Sequence, residues 1–241
     1  MREQRDAMNK PIEPIVRRKL SDEVFDRLEN MITSGELMPG DEMPSERVLM
    51  ERFGVGRPAI REAMQSLAKM GLVSISHGER AKVLKLTARS IFQQVDPTAK
   101  IMLAQSIDSL EHLKNARIFF ERGIAREATL KATAQDVADL KAIVDRQRTS
   151  LGDADAFISA DMEFHIRIAK ISGNPIFVGL SEAMLAWLRE YHTHMLIWTG
   201  KENFTLVEHE EILDRIAAKD ADGAEGAMRH HLERSRDLYT K

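Results

Sequence analysis

The stretch from Pro44 to Met64 constrains this chain most, because its punctuation admits two short helices joined by a tight turn. Ser45 is a natural N-cap whose hydroxyl accepts from a free backbone N–H, Gly54 can take the left-handed conformation that ends a helix, and Pro58 suits the first turn of the next. This predicts a helix-turn-helix. Arg57 and Arg61 stand four apart, so they project from one face of the second helix near its N-terminal end, where such helices meet base edges. Ile60, Ala63, Met64 and Leu67 fall on the opposite side and predict its packing face.

Around this motif the chain divides into an arm at residues 1–18, a DNA-binding domain at 19–86 and a helical domain at 87–241. The arm mixes charges with Pro11 and Pro14; its Arg17, Arg18 and Lys19 are either a solvated charge run or contacts to DNA backbone. Ser21 is expected to cap a first helix carrying Leu20, Val24, Leu28, Met31 and Ile32, which Gly35 closes; Pro39-Gly40 then marks a turn. After Gly71, alternation over residues 72–76, a turn at His77 to Arg80 and a return over 81–86 predict a β-hairpin, the wing of a winged helix. His77 and Gly78 at its tip would lie along the minor groove, and Arg80 and Lys82 would meet phosphate. An ordinary surface hairpin is the alternative for this segment taken alone.

From Thr87 onward only helical periods appear, in segments near 87–105, 108–131, 134–150, 153–171, 175–198, 203–219 and 221–239, with a break also expected at Asp96-Pro97. The fold class is therefore mainly α: three helices and a hairpin, then an all-helical bundle of six or seven helices. No cysteine is present, which removes disulfides and thiolate chemistry and suits a reducing compartment, and no apolar run approaches the roughly 20 residues of a membrane span. A cytoplasmic protein without membrane contact is expected. Net charge of −3 does not speak against DNA, because residues 1–86 hold 15 Lys and Arg against 14 Asp and Glu and phosphate contact is a local effect.

In the helical domain Asp161 and His165 share a helix face with Phe157, Ile158 and Ile168. A carboxylate buried there must be paired or metal-bound. His209 precedes Ile212, Leu213 and Ile216 at inward spacing, and Ala224, Met228, His231, Ser235 and Leu238 form one stripe that selects His231 over His230. One Asp and three His from three helices suit a divalent ion, Zn²⁺ first and Ni²⁺ or Mn²⁺ also by donor chemistry; the alternative is buried histidines satisfied by Asp161 and backbone. Arg117, seven from Leu110 and from Ile124, lies on an inward stripe and can hold an effector carboxylate bidentately or pair with Glu121 four residues on. Tyr191, His192, His194 and Trp198 either line the same pocket or serve packing and surface.

Pro44-Ser45-Glu46-Arg47, Gly56-Arg57-Pro58 with Arg61-Glu62-Ala63, Gly71-Leu72-Val73 and Gly78 resemble the winged-helix domain of the GntR family of bacterial regulators. Asp161 to His165, Gly173-Asn174-Pro175, Glu208-His209 and His231-Leu232 are similar to the C-terminal effector (FCD) domain of its FadR subfamily. The resemblance covers about residues 20–238 and implies that Arg47, Arg57, Arg61, His77 and Gly78 contact DNA, beside Ser45 and Arg80. It also favours metal at Asp161, His165, His209 and His231, since the matching positions bind metal in many members. Pro58 and Ala59 replace the threonine that often follows the recognition arginine, removing hydroxyl contacts to phosphate. The implied function is a homodimeric repressor that reads a palindromic operator in double-stranded DNA and responds to a carboxylate or sugar-acid effector. A metal-dependent hydrolase and a DNA-binding protein without effector are the alternatives.

Overall fold

The structure, a computed structural model, describes residues 18–192 and 202–237. The arm before Arg18 and the positions of His194 and Trp198 lie outside the described residues, as do the side chains of Tyr191, His192 and Ser235. Ten helices and one two-stranded sheet occur among those described, in two compact units, Met1–Leu86 and Thr87–Lys241.

In the first unit, α1 (Leu20–Thr33) and α2 (Glu46–Phe53) both pack on α3 (Arg57–Lys69). Ser45 caps α2 by accepting from the Val48 amide at 3.3 Å, and Gly54 ends it at φ 66°. A left-handed residue there is cheap only for glycine. Pro58 falls in the first turn of α3, whose buried side is Ile60, Ala63, Met64 and Leu67. Ser21 does not cap α1. The N-cap is Lys19, and Ser21 is buried inside the first turn, where Asp22 and Glu23 supply the negative charge that the free amides favour.

The hairpin is shorter than its alternation suggests: β1 (Val73–Ser74) pairs antiparallel with β2 (Lys82–Val83), Val73 facing Val83. The other edge of β2 is taken by residues 40–43. Met43 N–H donates to the Ala81 carbonyl at 2.7 Å, Val83 N–H to that of Asp41 at 2.9 Å, and Gly40 N–H to that of Val83 at 2.8 Å. The segment read as a turn thus also covers a sheet edge and ties the wing to the chain entering α2.

The second unit is all-helical: α4 (Ala88–Ala104), α5 (Ile107–Lys131), α6 (Ala134–Thr149), α7 (Ala154–Ile171), α8 (Pro175–His192), α9 (Glu202–Ala217) and α10 (Ala221–Asp237). The longest, α5, touches α4, α7, α8, α9 and α10. Thr133 and Asp153 cap α6 and α7 by accepting from backbone amides. The break expected at Asp96-Pro97 does not occur. Pro97 lies inside α4, its lost hydrogen bond offset by packing of Leu103 with Met184 and Leu188 and by a 2.7 Å bond from Trp187 Nε1 to Asp96. A side chain at Gly179 would come within 2.9 Å of Ala88, so glycine lets α8 approach the start of α4.

The eight-residue α2 is too short to persist alone and buries only Leu49 fully, at 0 % exposure. Leu49→Ala should cost about 2–5 kcal/mol and speed amide hydrogen exchange across residues 46–53. The exposed neighbour Val48→Ala should leave that exchange nearly unchanged.

Candidate metal centre and nucleic-acid interface

Five helices deliver polar side chains to one point in the second unit. Asp161 and His165 come from α7, His209 from α9 and His231 from α10, each chain offering one ligand atom within 4.8 Å of the others. The three imidazoles are buried, whereas the Asp161 side chain keeps 26 % of its surface exposed and marks the open side. His230, beside the buried His231, faces outward.

Each imidazole has a side-chain oxygen beside its Nδ1, hydrogen-bonded for His231 and His209 and in ion-pair contact for His165. His231 Nδ1 stands 2.7 Å from Glu208 Oε2, His209 Nδ1 2.8 Å from Gln147 Oε1, and His165 Nδ1 2.5 Å from Glu121 Oε2. Acceptors in these places put the proton on Nδ1 and leave the Nε2 lone pair pointing inward. Gln147 also donates from Nε2 to Asp161 Oδ1 at 3.4 Å, bridging two ligands, and Phe164 stacks on His209 with ring centres 4.2 Å apart. A second layer braces the carboxylates: Arg117 Nε donates to Glu121 Oε1 at 2.6 Å, while Arg234 donates to both oxygens of Glu208 and to Thr205 Oγ1. Arg117 therefore takes the intrahelical pairing that its spacing allowed.

The electrostatics follow from this packing. Burial, with the nearby charges of His231, His165, Arg117 and Arg234, pushes the His209 pKa well below the usual imidazole value. Burial also lowers that of His231, against the opposing pull of Glu208. Burial raises the carboxyl of Glu208, but His231 and Arg234 outweigh it and hold it at about 2; burial of Glu121 is likewise outweighed by Arg117 and His165, to about 2. Imidazoles kept neutral in this way each have an Nε2 lone pair free to ligate a cation.

The donor set fits a small divalent ion. His209 Nε2 lies 3.3 Å from His231 Nε2 and 3.5 Å from Asp161 Oδ1. Ligands about 2.1 Å from a tetrahedral ion stand about 3.4 Å apart. Both ring nitrogens of His165 are buried without a well-aligned hydrogen bond: Nδ1 meets Glu121 Oε2 only as a close ion-pair contact, and Nε2 has a carboxylate oxygen of Asp161 at 4.0 Å. An orphaned lone pair in a dry site is costly unless something fills it. The outer partners Glu121, Gln147, Glu208 and Arg234 were not read as site residues from sequence. Gln147 carries the clearest signal, as the polar member of the otherwise apolar stripe Leu140, Ile143, Val144.

In the first unit, Arg57 and Arg61 emerge from the start of α3 with side chains 60 % and 62 % exposed, opposite its buried face. Arg47 is on the exposed side of α2, and Ser45 is at its cap. His77 and Gly78 occupy the tip of the wing, Gly78 at φ 79°, and Arg80 follows, 3.4 Å from Glu42. Among the described residues no helix is long and apolar enough to cross a membrane.

Comparison with known proteins bears on both units. Residues 20–83 match the profile of bacterial regulatory proteins of the gntR family, and residues 112–234 match the FCD domain. The HTH-type transcriptional repressor NanR of Cronobacter sakazakii is 40 % identical over 223 residues, 91 % of this chain and 85 % of that protein. A NanR of Salmonella schwarzengrund is 38 % identical over 228 residues, covering 91 % and 84 %. Among solved structures, a Streptococcus agalactiae GntR protein shares the fold with a TM-score of 0.64 at 24 % identity, over 90 % of this chain and 99 % of that one. These relatives are regulators rather than enzymes, which removes the hydrolase alternative. With a gntR winged helix followed by an FCD domain, this chain belongs to the GntR family of bacterial transcriptional regulators.

Proposed function

We propose that the protein is a metabolite-responsive repressor that binds a palindromic operator as a homodimer and is released by a carboxylate or sugar-acid effector bound beside a divalent metal. The observation that carries the effector half of this reading is the convergence of three buried imidazoles and the Asp161 carboxylate within the helical bundle. Repression is supported by the printed names of the NanR relatives. A dimer is supported by affinity arithmetic, since one winged helix offers too few contacts for specific binding and a two-fold dimer reads two half-sites. A cytoplasmic location follows from this role.

On the DNA side, Arg57 and Arg61 are assigned to base edges, Arg47, Ser45 and Arg80 to backbone, and His77 with Gly78 to the minor groove. On the effector side, Asp161, His165, His209 and His231 would hold Zn²⁺, with Ni²⁺ or Mn²⁺ as other occupants the donors accept. A bound dication supplies a Lewis-acidic point for an anionic oxygen. Asp161, the one part-exposed member of the four, is the residue such an oxygen would meet from solvent. Arg117, which holds Glu121 on the wall of the site, is the cation that an effector carboxylate approaches. Release requires that the effector bind the DNA-competent and DNA-incompetent arrangements with different affinity.

The direct test is selection of a palindromic duplex from a random pool, followed by a panel of sialic acid, other sugar acids and dicarboxylates for its release, with and without Zn²⁺. Arg57→Ala should weaken binding to the selected duplex by about 1–3 kcal/mol and relax its base preference. Full retention in gel shifts removes Arg57 from the reading role. His209→Ala should lower bound metal by elemental analysis and abolish effector release while DNA binding persists; unchanged metal content refutes the ligand assignment.

The same site sets a pH dependence. Below about pH 6.5 the unfolded chain takes up protons on the imidazoles of residues 209 and 231, while the folded chain, with both pKa values lowered, resists. Protons bound in excess by the unfolded state mean that stability of the chelator-treated protein falls as pH drops through this window. Glu208 and Glu121, both held at about 2, add a further loss below the ordinary glutamate range. Thermal melts from pH 8 to pH 5 should show a falling midpoint, with the decline smaller in His209→Ala.

A further inference from the structure

The two arginines assigned to base edges are not independent side chains. Glu46, the first residue of α2, stands between them: Arg61 Nε donates to Glu46 Oε1 at 2.9 Å, and Arg57 Nε lies 3.4 Å from Glu46 Oε2. One carboxylate thus spans two guanidinium groups across the turn of the helix-turn-helix, one oxygen to each. Its own side chain is 37 % exposed, against 60 % and 62 % for the arginines.

We propose that Glu46 is a specificity-determining positioning residue, a clamp that aims the forks of Arg57 and Arg61 at base edges and suppresses their indiscriminate attraction to phosphate. This rests on the reading of α3 as the recognition helix. Both contacts are made through Nε, which leaves the two terminal nitrogens of each guanidinium at the outer end of the side chain. A guanine presents O6 and N7 as a pair of acceptors, and two parallel N–H groups match that pair. A guanidinium held along its inner edge meets the pair end-on with little orientational freedom left to lose on binding. The carboxylate also cuts the local charge of the trio from two positive to one. Attraction to phosphate scales with that charge, so the clamp withholds affinity chiefly from duplexes that offer the arginines no base-edge partner.

The assignment separates Glu46 from the other acidic partners on this face. Arg47 pairs with Glu51 and Arg80 with Glu42, each a single pair on a backbone-positioning residue. Only Glu46 serves both base-reading side chains among the described residues.

Glu46→Gln in the full-length protein keeps the size of the side chain and removes its charge. Binding to the duplex selected by the native protein, and to a scrambled duplex of equal length, is measured by fluorescence anisotropy across a salt series. Binding to the scrambled duplex should strengthen several-fold, the ratio of selected to scrambled affinity should fall about tenfold, and the salt slope on the scrambled duplex should steepen by about one phosphate equivalent. Glu46→Asp, which keeps the charge, should restore most of the weak scrambled binding. Loss of affinity for the selected duplex with scrambled binding unchanged would make Glu46 a direct base contact and overturn the clamp. An unchanged ratio in Glu46→Gln alongside a reduced one in Arg57→Ala would also overturn it, leaving the recognition helix intact. An unchanged ratio in both would instead sink the reading of α3. Circular dichroism of each variant, expected to match the native spectrum, guards against loss of the fold.

Discussion

The second unit is organised by the need to satisfy three buried imidazoles. A buried ring nitrogen left without a partner costs on the order of 1–3 kcal/mol, so each histidine recruits an acceptor from a different helix. Glu121 answers from α5, Gln147 from α6 and Glu208 from α9. Two of these acceptors are carboxylates, and a buried carboxylate carries its own penalty, which brings in Arg117 and Arg234 behind them. The polar residues of five helices are thus consequences of one another. The apolar cluster that includes Phe164, Ile168, Ile212, Ile216 and Met228 forms the core of the same bundle.

The first unit solves a different problem, that of making short elements rigid enough to present charge. Neither α2 nor the two-residue strands would persist alone. Leu49 pins α2 into the common core with Leu28, Ile60 and Leu67, and residues 40–43 pair with β2 so that the wing has a covered edge on the α2 side. Rigidity matters because sequence is read at hydrogen-bond precision. The arginines then protrude from a scaffold that the buried face of α3 holds in register.

What sequence made legible divides along the same physical line. Helix ends were readable because their causes are local: Ser45 and Gly54 act within one turn of chain, and the stripe at Ile60, Ala63, Met64 and Leu67 needs only helical period to declare its buried side. The choice of His231 over His230 came from the same periodicity, and burial separates the two as that period requires. Local reasoning failed where tertiary packing overrides it. Pro97 reads as a break, yet α4 runs through it because its neighbour α8 supplies compensating contacts. Ser21 reads as a cap, yet the helix begins ahead of it. The pairing of residues 40–43 with β2 joins segments about 40 residues apart, and no local pattern signals it. The outer partners of the histidines were missed for the same reason. An acidic residue beside a histidine in sequence, as Glu208 is beside His209, turns out to serve a different histidine on another helix.

The charges around the four-residue cluster also say what kind of ligand it suits. Three carboxylates, those of Asp161, Glu121 and Glu208, face two guanidinium groups, those of Arg117 and Arg234, around imidazoles of which two are held neutral. Counting those fixed charges alone leaves one negative charge in a low-dielectric site, a field that favours a cation and repels an anion. A dication held by the four donors would convert the same count to one positive, and a single carboxylate would then be attracted where before it was repelled. On the function proposed above, the cation would therefore come first and would make the anion's binding favourable. By reciprocity the anion would tighten the hold on the cation, a positive coupling that needs no helix to move.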